Sequence, residues 1–184
     1  MSYLLLDQLD SASTHIQKAV VLSREIGNQT NLVKSMLEMG NLAMKRKNCS
    51  KAISVFKETE ALAGKLKISE VHWRALRGQG KCLAMNGNLN PATEAYKKAA
   101  EIVEDMRAAI KIEEFQNGFL TDKQDVFKEL VLLLLDQNKT AEAFSYAEKA
   151  KSRSFIDLLG NQKVSLKNDV SQKLYDSLTK QKNQ

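Results

Sequence analysis

The sequence predicts an all-α fold made of repeated helical hairpins, and three observations support this. The 184 residues include one proline and eight glycines, whereas average usage of about 5% and 7% would give roughly nine and thirteen. Hydrophobic residues make up 43% of the chain and charged residues 27%, a balance that suits a packed core and not a disordered chain. A pattern of small and large residues also recurs every forty positions. Together these features disfavour an all-β fold, which needs many turns.

The repeat is visible in residues that lie forty positions apart. The equivalent pairs are Gly40 and Gly80, Ala52 and Ala92, Phe56 and Tyr96, and Thr59 and Ala99, with Ala12, Ile16 and Ala19 one step earlier. In each copy a small residue, a large one four later and a small one three after that share one helix face. Such a face allows two helices to pack closely. We therefore expect hairpins that stack side by side and bury one continuous core.

Periodicity and turn residues define the individual helices. We expect a stop at Gly27, near Asn48 and at Gly87-Asn88, because glycine and asparagine tolerate left-handed backbone geometry. Ser50 and Ser69 are suitable N-caps for the helices that follow them. The predicted helices before residue 90 span about 8–25, 30–46, 51–65 and 70–86.

The second half of the chain has a similar pattern with one irregular stretch. Asn90 is a suitable N-cap with Pro91 at the first helical position, where the missing N–H costs no hydrogen bond. That helix is expected to reach about Glu114, and an irregular segment covers 115–121. Asp122 and Thr140 open the next two helices, about 122–136 and 140–159. A short helix over 169–180 is suggested by Val170, Leu174 and Leu178.

These elements predict one domain and a tail. The helical repeat domain covers residues 1–160, with hairpin units at about 1–26, 30–66, 70–114 and 122–159. Residues 161–184 form a polar, basic tail that includes the possible short helix.

The repeat resembles the tetratricopeptide repeat (TPR), whose first helix carries a large residue, Leu-Gly and an aromatic, and whose second carries Ala, an aromatic and Ala. A first copy is Met36, Met39-Gly40, Ala43, Ala52 and Phe56; a second is Leu76, Gly80, Leu83, Ala92, Tyr96 and Ala99; a looser third is Phe127, Leu130, Leu134, Ala143, Ala147 and Ala150. Val131 replaces the usual glycine of the third copy, and the period of forty exceeds the usual 34. The resemblance implies a right-handed α-solenoid that binds other proteins.

Residues 100–160 resemble more specifically the repeats that precede the caspase-like protease domain of CHAT proteins. The strongest match is the run Ala147-Glu148-Lys149-Ala150-Lys151-Ser152-Arg153-Ser154-Phe155 followed by Asp157-Leu158-Leu159. The Cys and His dyad of that protease domain has no counterpart in this sequence. The resemblance implies a sensor or adaptor arm of a CHAT protease, as a fragment of one or as a separate partner.

The sequence gives no basis for an enzyme, a metal site or a cofactor site. His72 and Cys82 are ten residues apart on one predicted helix, about 15 Å, too far for a catalytic dyad. Cys49 and His15 fit no catalytic or metal-ligand spacing. The string Arg77-Gly78-Gln79-Gly80-Lys81 lacks the spacing and the Ser/Thr of a phosphate-binding loop. We therefore expect a binding protein with no catalytic residues, no metal and no cofactor.

The positive charge is concentrated where the first helices of two hairpins are expected to line a groove. Residues 31–90 carry eleven Lys/Arg and four Asp/Glu, whereas residues 91–150 carry eight and twelve. In TPR proteins the non-core face of each first helix meets the ligand, and here it is cationic. The resulting partner-binding groove is Lys34, Asn41, Lys45, Arg74, Arg77 and Lys81. It predicts an acidic peptide or protein as partner, and we expect Arg77→Glu to leave stability almost unchanged.

Two other interactions remain open from the sequence. A pI near 9.2 is compatible with a basic scaffold that binds RNA or DNA. Single-strand binders need aromatic side chains for base stacking, and this chain has only eleven aromatic residues. We assign Phe56, Tyr96 and Phe127 to the repeat core and expect Trp73 to pack between helices. Self-association through the end hairpins is the second, since Leu4, Leu5 and Leu6 or Val170, Leu174 and Leu178 could pair or cap.

Neither export nor membrane insertion is predicted. The longest strongly apolar run, 130–135, is far shorter than the ~20 residues that span a bilayer, and the chain starts without a basic leader. We expect a cytoplasmic protein.

Overall fold

The computed structural model describes residues 3–109 and 123–161 of the chain, and within these ranges every regular element is an α-helix. The helices are α1 (Tyr3–Glu25), α2 (Gln29–Lys45), α3 (Cys49–Lys65), α4 (Ser69–Met85), α5 (Leu89–Ala108), α6 (Gln124–Asp136) and α7 (Thr140–Asn161). The expected extension of the fifth helix to Glu114, the irregular stretch 115–121 and the helix 169–180 lie outside the described residues. The fold is an all-α helical-repeat solenoid.

The helices stack in chain order as antiparallel neighbours. Each of the helices α2 to α7 packs on the one before it, and α4 also packs on α2 across the intervening α3. The hairpins are therefore α2 with α3, α4 with α5, and α6 with α7, preceded by α1. Successive starts at Gln29, Cys49, Ser69 and Leu89 are twenty residues apart. This regularity puts the first helices of neighbouring hairpins side by side on one surface.

One turn geometry connects α1 to α2, α2 to α3, α3 to α4, α4 to α5, and α6 to α7. A single residue has a left-handed backbone in each turn: Gly27, Lys47, Lys67, Gly87 and Asn138, with φ between 55° and 77°. The next residue donates its N–H to a carbonyl five residues earlier, as Asn48 does to Ala43 at 2.9 Å. This is the Schellman arrangement, which satisfies carbonyl groups at the helix end. It leaves only three residues between one helix and the next.

Because the turns are so short, α3, α4 and α5 each begin one or two residues earlier than the expected cap residues indicated. Asn48, not Ser50, caps α3 by accepting from the Lys51 N–H at 3.0 Å. Ser69 is the first residue of α4 and Ile68 is the N-cap position, without a side-chain cap. Asn88 holds φ −83° and precedes α5, so the left-handed residue there is Gly87 alone. Pro91 is accordingly the third residue of α5 and not the first.

Aromatic side chains on the second helices close the core against glycines, as the repeat predicts. Phe56 is fully buried, and a Cβ added at Gly78 of α4 would lie 2.5 Å from its ring. Gly40 of α2 contacts the same ring from the other side. Tyr96 packs in the same way on Gly80, where an added Cβ would lie 2.9 Å from the ring. Only glycine allows these helices to approach so closely.

The third hairpin reverses this size relation. The left-handed turn residues of the second and third hairpins, Gly87 and Asn138, are 51 positions apart. By this offset Val131 is equivalent to Gly80, and Ala147 to Tyr96. A larger residue on the first helix thus accompanies a smaller one on the second. This reversal explains in physical terms why the third copy tolerates the missing glycine.

Candidate binding surface

A cavity of about 330 Å³ opens between the first helices of the first two hairpins. Its walls come from one face of α2 and one face of α4, because residues three and four apart on a helix lie side by side. The lining residues are Asn41, Met44, Trp73, Arg74, Arg77, Gly78 and Lys81. Four of the six residues predicted as the groove therefore share one cavity.

A second cavity, also about 330 Å³, continues along the same pair of helices. Lys34, Ser35, Leu37, Glu38, Glu70, Val71 and Arg74 line it. Arg74 belongs to both cavities, so Lys34 joins the surface through this arginine. Lys45 is exposed at the end of α2 and lines neither cavity. We call the residues of both cavities the α2–α4 surface.

Arg77 is the most strongly held cation of this surface. Its Nε and Nη2 atoms donate to the Glu129 carboxylate at 2.9 and 2.7 Å, and Nη2 also donates to Asp125 at 3.1 Å. The side chain is only 26% exposed. The hydrogen bond with Glu129 raises the pKa of Arg77 above its ordinary value. Such two-bond pairs fix both position and orientation of the guanidinium group.

The Glu129 carboxylate lies at the centre of a polar contact between α4, α5 and α6. Besides Arg77 it meets the Lys81 ammonium group at 3.9 Å. Burial, followed by the nearby Glu129 carboxylate, raises the pKa of the Tyr96 hydroxyl above its usual range. Lys81 itself remains 50% exposed and is the most accessible of the three cations predicted on α4, since the Arg74 side chain is 45% exposed and that of Arg77 26%.

Trp73 is surrounded by cations although it is only 2% exposed. The Arg74 guanidinium group lies 5.3 Å from the ring centroid and the Lys123 ammonium group 5.9 Å. Glu70 links them, since its carboxylate is 2.7 Å from Arg74 and 3.7 Å from Lys123. It also accepts the Trp73 indole N–H at 3.2 Å. The tryptophan packs between helices, as the sequence predicted, and its ring orients two cations through cation–π contacts.

The sequence analysis did not identify the acidic side of this surface. Glu70, Asp125 and Glu129 neutralise cations that were expected to face a ligand. The charge count contained a sign of this pairing, because the basic segment 31–90 is followed by the acidic segment 91–150. Equivalent residues are 40 positions apart in the first two hairpins but 51 apart in the second and third. A repeat length of forty therefore did not place Glu129 beside α4.

The cysteines lie together in the core of the first two hairpins. Cys49 and Cys82 are both buried and unpaired by a disulfide. Burial, followed by hydrogen bonding with Cys49, raises the pKa of the Cys82 thiol to about 12. The thiol therefore stays protonated at neutral pH, and a protonated thiol is a poor nucleophile.

The described residues contain no group of three His, Cys, Asp or Glu placed to hold a metal ion. Of the described helices, none combines the length and apolar character needed to cross a membrane.

Comparison with known proteins identifies the fold. No protein-family model and no curated protein sequence matches the chain. Among solved structures, the TPR domain of Arabidopsis FLU matches with a TM-score of 0.55 and 17% identity, over 68% of this chain and 96% of that one. The TPR-like repeats of a putative kinesin light chain from Podospora anserina match with a TM-score of 0.47 and 12% identity, over 89% and 92%. The first match shows that this chain has the fold of a TPR domain.

Proposed function

We propose that this chain is a protein-interaction module that binds an acidic peptide or protein segment on the α2–α4 surface. The observation that carries the proposal is the cavity lined by Asn41, Arg74, Arg77 and Lys81. It gathers two guanidinium groups, an ammonium group and a side-chain amide around one opening. These are the donor groups that recognise carboxylates.

The charges around this surface favour an anionic partner. Five cations, Lys34, Arg74, Arg77, Lys81 and Lys123, lie on this surface or against it, with the four anions Glu38, Glu70, Asp125 and Glu129. The exposed Lys45 follows Met44 of the first cavity and adds a further positive charge at the end of α2. Arg77 uses Nε and Nη2 for its carboxylate partners, and a guanidinium group has a third nitrogen with two more donors. An incoming carboxylate would meet Lys81 first, because that side chain is half-exposed.

The identity of the partner rests on the sequence resemblance at the C-terminal end. We propose that the chain works with a CHAT-type protease, either as a piece of one or as a separate partner. The run 147–155 followed by Asp157-Leu158-Leu159 supports this. In that arrangement the module would contain no catalytic group of its own, would need no cofactor and would act in the cytoplasm.

The test is affinity capture from nuclease-treated lysate with three forms of the chain. The surface variant is Lys34→Glu with Lys81→Glu, two exposed residues that line the α2–α4 surface and take no part in the hydrogen bonds between Arg77 and Glu129. The matched control is Lys57→Glu with Lys65→Glu, which makes the same charge change on exposed positions of α3. We expect wild type and control to retain the same protein and the surface variant to lose it. Mass spectrometry then shows whether that protein has a caspase-like domain.

Two outcomes would contradict the proposal. Retention of the same proteins by all three forms would show that the α2–α4 surface does not bind them. Binding that is lost with nuclease and falls steeply with salt would favour the RNA or DNA scaffold. Against that alternative, Phe56, Trp73, Tyr96 and Phe127 are buried and so are not available for base stacking.

A further inference from the structure

The described solenoid ends in an apolar groove between α6 and α7. A cavity of about 490 Å³ lies there, lined on its apolar part by Phe127, Val131, Leu132, Ala147 and Ala150. Leu132 is 53% exposed and Phe144 of α7 is 66% exposed. Large apolar side chains that face solvent together indicate a surface that another element covers.

The repeat shows what kind of element fits the groove. α4 packs on both α2 and α3, so the first hairpin holds a helix at the equivalent place. By the offset of 91 residues between the first and third hairpins, Leu132 and Leu135 correspond to Asn41 and Met44, and Phe144 to Ile53. The polar Asn41 is thus replaced by Leu132, and the other two positions stay apolar in the third hairpin. The groove is shaped for one more helix.

Side-chain size restricts that helix further. Phe56 of the first hairpin fills the groove itself, so the helix lying there carries a glycine, Gly78, against the ring. The equivalent residue of the third hairpin is Ala147, which leaves the space open. A helix that fills this groove should therefore bring large apolar residues instead of glycine.

The chain contains a segment of this kind. Residues 162–184 lie outside the described part of the structure, and their sequence has no glycine. Val170, Leu174 and Leu178 follow each other at four-residue spacing, which places them on one face of a helix. A helix over 169–180 would be about 18 Å long, the length that Gln124 to Leu135 covers along α6.

The connection is long enough to bring this segment back. The groove residue Ala150 lies eleven residues before the end of α7 at Asn161, about 16 Å along the helix. Residues 162–168 can span about 23 Å when extended. We propose that residues 169–180 form a helix that lies in the α6–α7 groove and buries Val170, Leu174 and Leu178 against Leu132 and Phe144.

Amide hydrogen exchange of the full chain tests the proposal with two variants of equal added charge. Leu174→Asp with Leu178→Asp changes the apolar face of the segment, and Gln172→Asp with Thr179→Asp changes the opposite face. We expect the first variant to accelerate exchange in 170–178 and on α6 and α7 by about tenfold or more, and the second to resemble wild type. From the groove side, Leu132→Asp should accelerate exchange in 170–178 equally, since this half-exposed position is not needed for the core.

Three results would overturn the proposal. Fast exchange of 170–178 in wild type would show that the segment is not held at all. Equal effects of the two variants would show that the apolar face is not what packs. Protection that falls on dilution, with a dimer in sedimentation, would mean that a second copy covers the groove instead.

Discussion

A glycine packs against an aromatic ring where the first and second hairpins meet, whereas a charged cluster is added to the apolar core where the second and third meet. In the first junction, between α2–α3 and α4, Phe56 lies against Gly78 and Leu37 lies beside Val71. In the second junction, between α4–α5 and α6, Arg77 holds Glu129. These residues occupy equivalent places, since Leu37 corresponds to Arg77 by the forty-residue offset. Gly78 likewise corresponds to Glu129 by the offset of 51.

The same contrast appears at the edge of each junction. Ile53 packs into the apolar core of the first, whereas its equivalent Thr93 accepts a hydrogen bond from Gln137 at 2.6 Å in the second. The repeat therefore preserves backbone positions without preserving the chemistry of the contact. A glutamate cannot approach an aromatic ring as closely as a glycine does, so long charged side chains bridge the second junction.

The largest expected effect comes from filling the first junction. Gly78→Leu should lower the free energy of unfolding by about 3 kcal/mol, because Phe56 is held between Gly78 and Gly40 and has no room to move. Ser54→Leu adds a comparable side chain at an exposed position of α3 and should change stability by less than about 0.5 kcal/mol. Urea unfolding measures both, and a similar loss in the two variants would show that tight packing is not the cause.

Removing one charge of the second junction should have a smaller effect that depends on salt. Glu129→Gln should lower the free energy of unfolding by about 1 to 2 kcal/mol at low salt, a value between those typical of exposed and of buried ion pairs. This is expected because the Arg77 and Glu129 side chains are about one quarter exposed. In 1 M NaCl the cost should shrink. The control Glu94→Gln removes a carboxylate that is 67% exposed and whose partner Lys97 also pairs with Glu142, so it should lower the free energy of unfolding by less than about 0.5 kcal/mol.

The double variant Arg77→Leu with Glu129→Ala tests the same pair, because it replaces both charged side chains by apolar ones, as at the equivalent Leu37 and Gly78 of the first junction. The double variant should lose less stability than the two single variants summed. A strictly additive result would mean that the two side chains do not stabilise each other.

The smallest effects are expected at the turns inside the first two hairpins. Lys47 and Gly87 hold the same left-handed conformation, with φ of 58° and 77°. Lys47→Gly should stabilise the chain by about 0.5 kcal/mol, because the strain of a side chain there exceeds the added entropy of unfolded glycine. Gly87→Ala should destabilise it by about 1 kcal/mol. Thermal unfolding of both variants checks this, and shifts of the same sign would contradict it.

The sequence predicted the repeat, the burial of Phe56, Tyr96 and Phe127, and the approximate limits of the helices, because all of these depend on local spacing. It missed the short turns, since Asn48 and Ile68 take the N-cap positions of α3 and α4 that Ser50 and Ser69 were expected to fill.

The sequence also could not show that Arg77 contacts Glu129, which lies 52 residues away. Arg77→Glu was expected to be nearly neutral for stability, but it would place three carboxylates together in the second junction. The grouping of Asn41, Arg74, Arg77 and Lys81 around one cavity followed from helix spacing, whereas the pairing of Arg77 and Lys81 with Glu129 of α6 is a tertiary contact.

The charged junction has a mechanical consequence. In a solenoid each hairpin touches only its neighbours, so the curvature of the whole molecule is the sum of a few joint angles. A joint closed by a buried ring between two glycines is stiff, because any rotation forces atoms into contact. A joint closed by carboxylates and guanidinium groups softens as ionic strength rises. The second joint also keeps the apolar core of Trp73, Leu76 and Phe127, so higher salt should loosen only its charged edge, and a small change of angle there would move α6 and α7 as one arm.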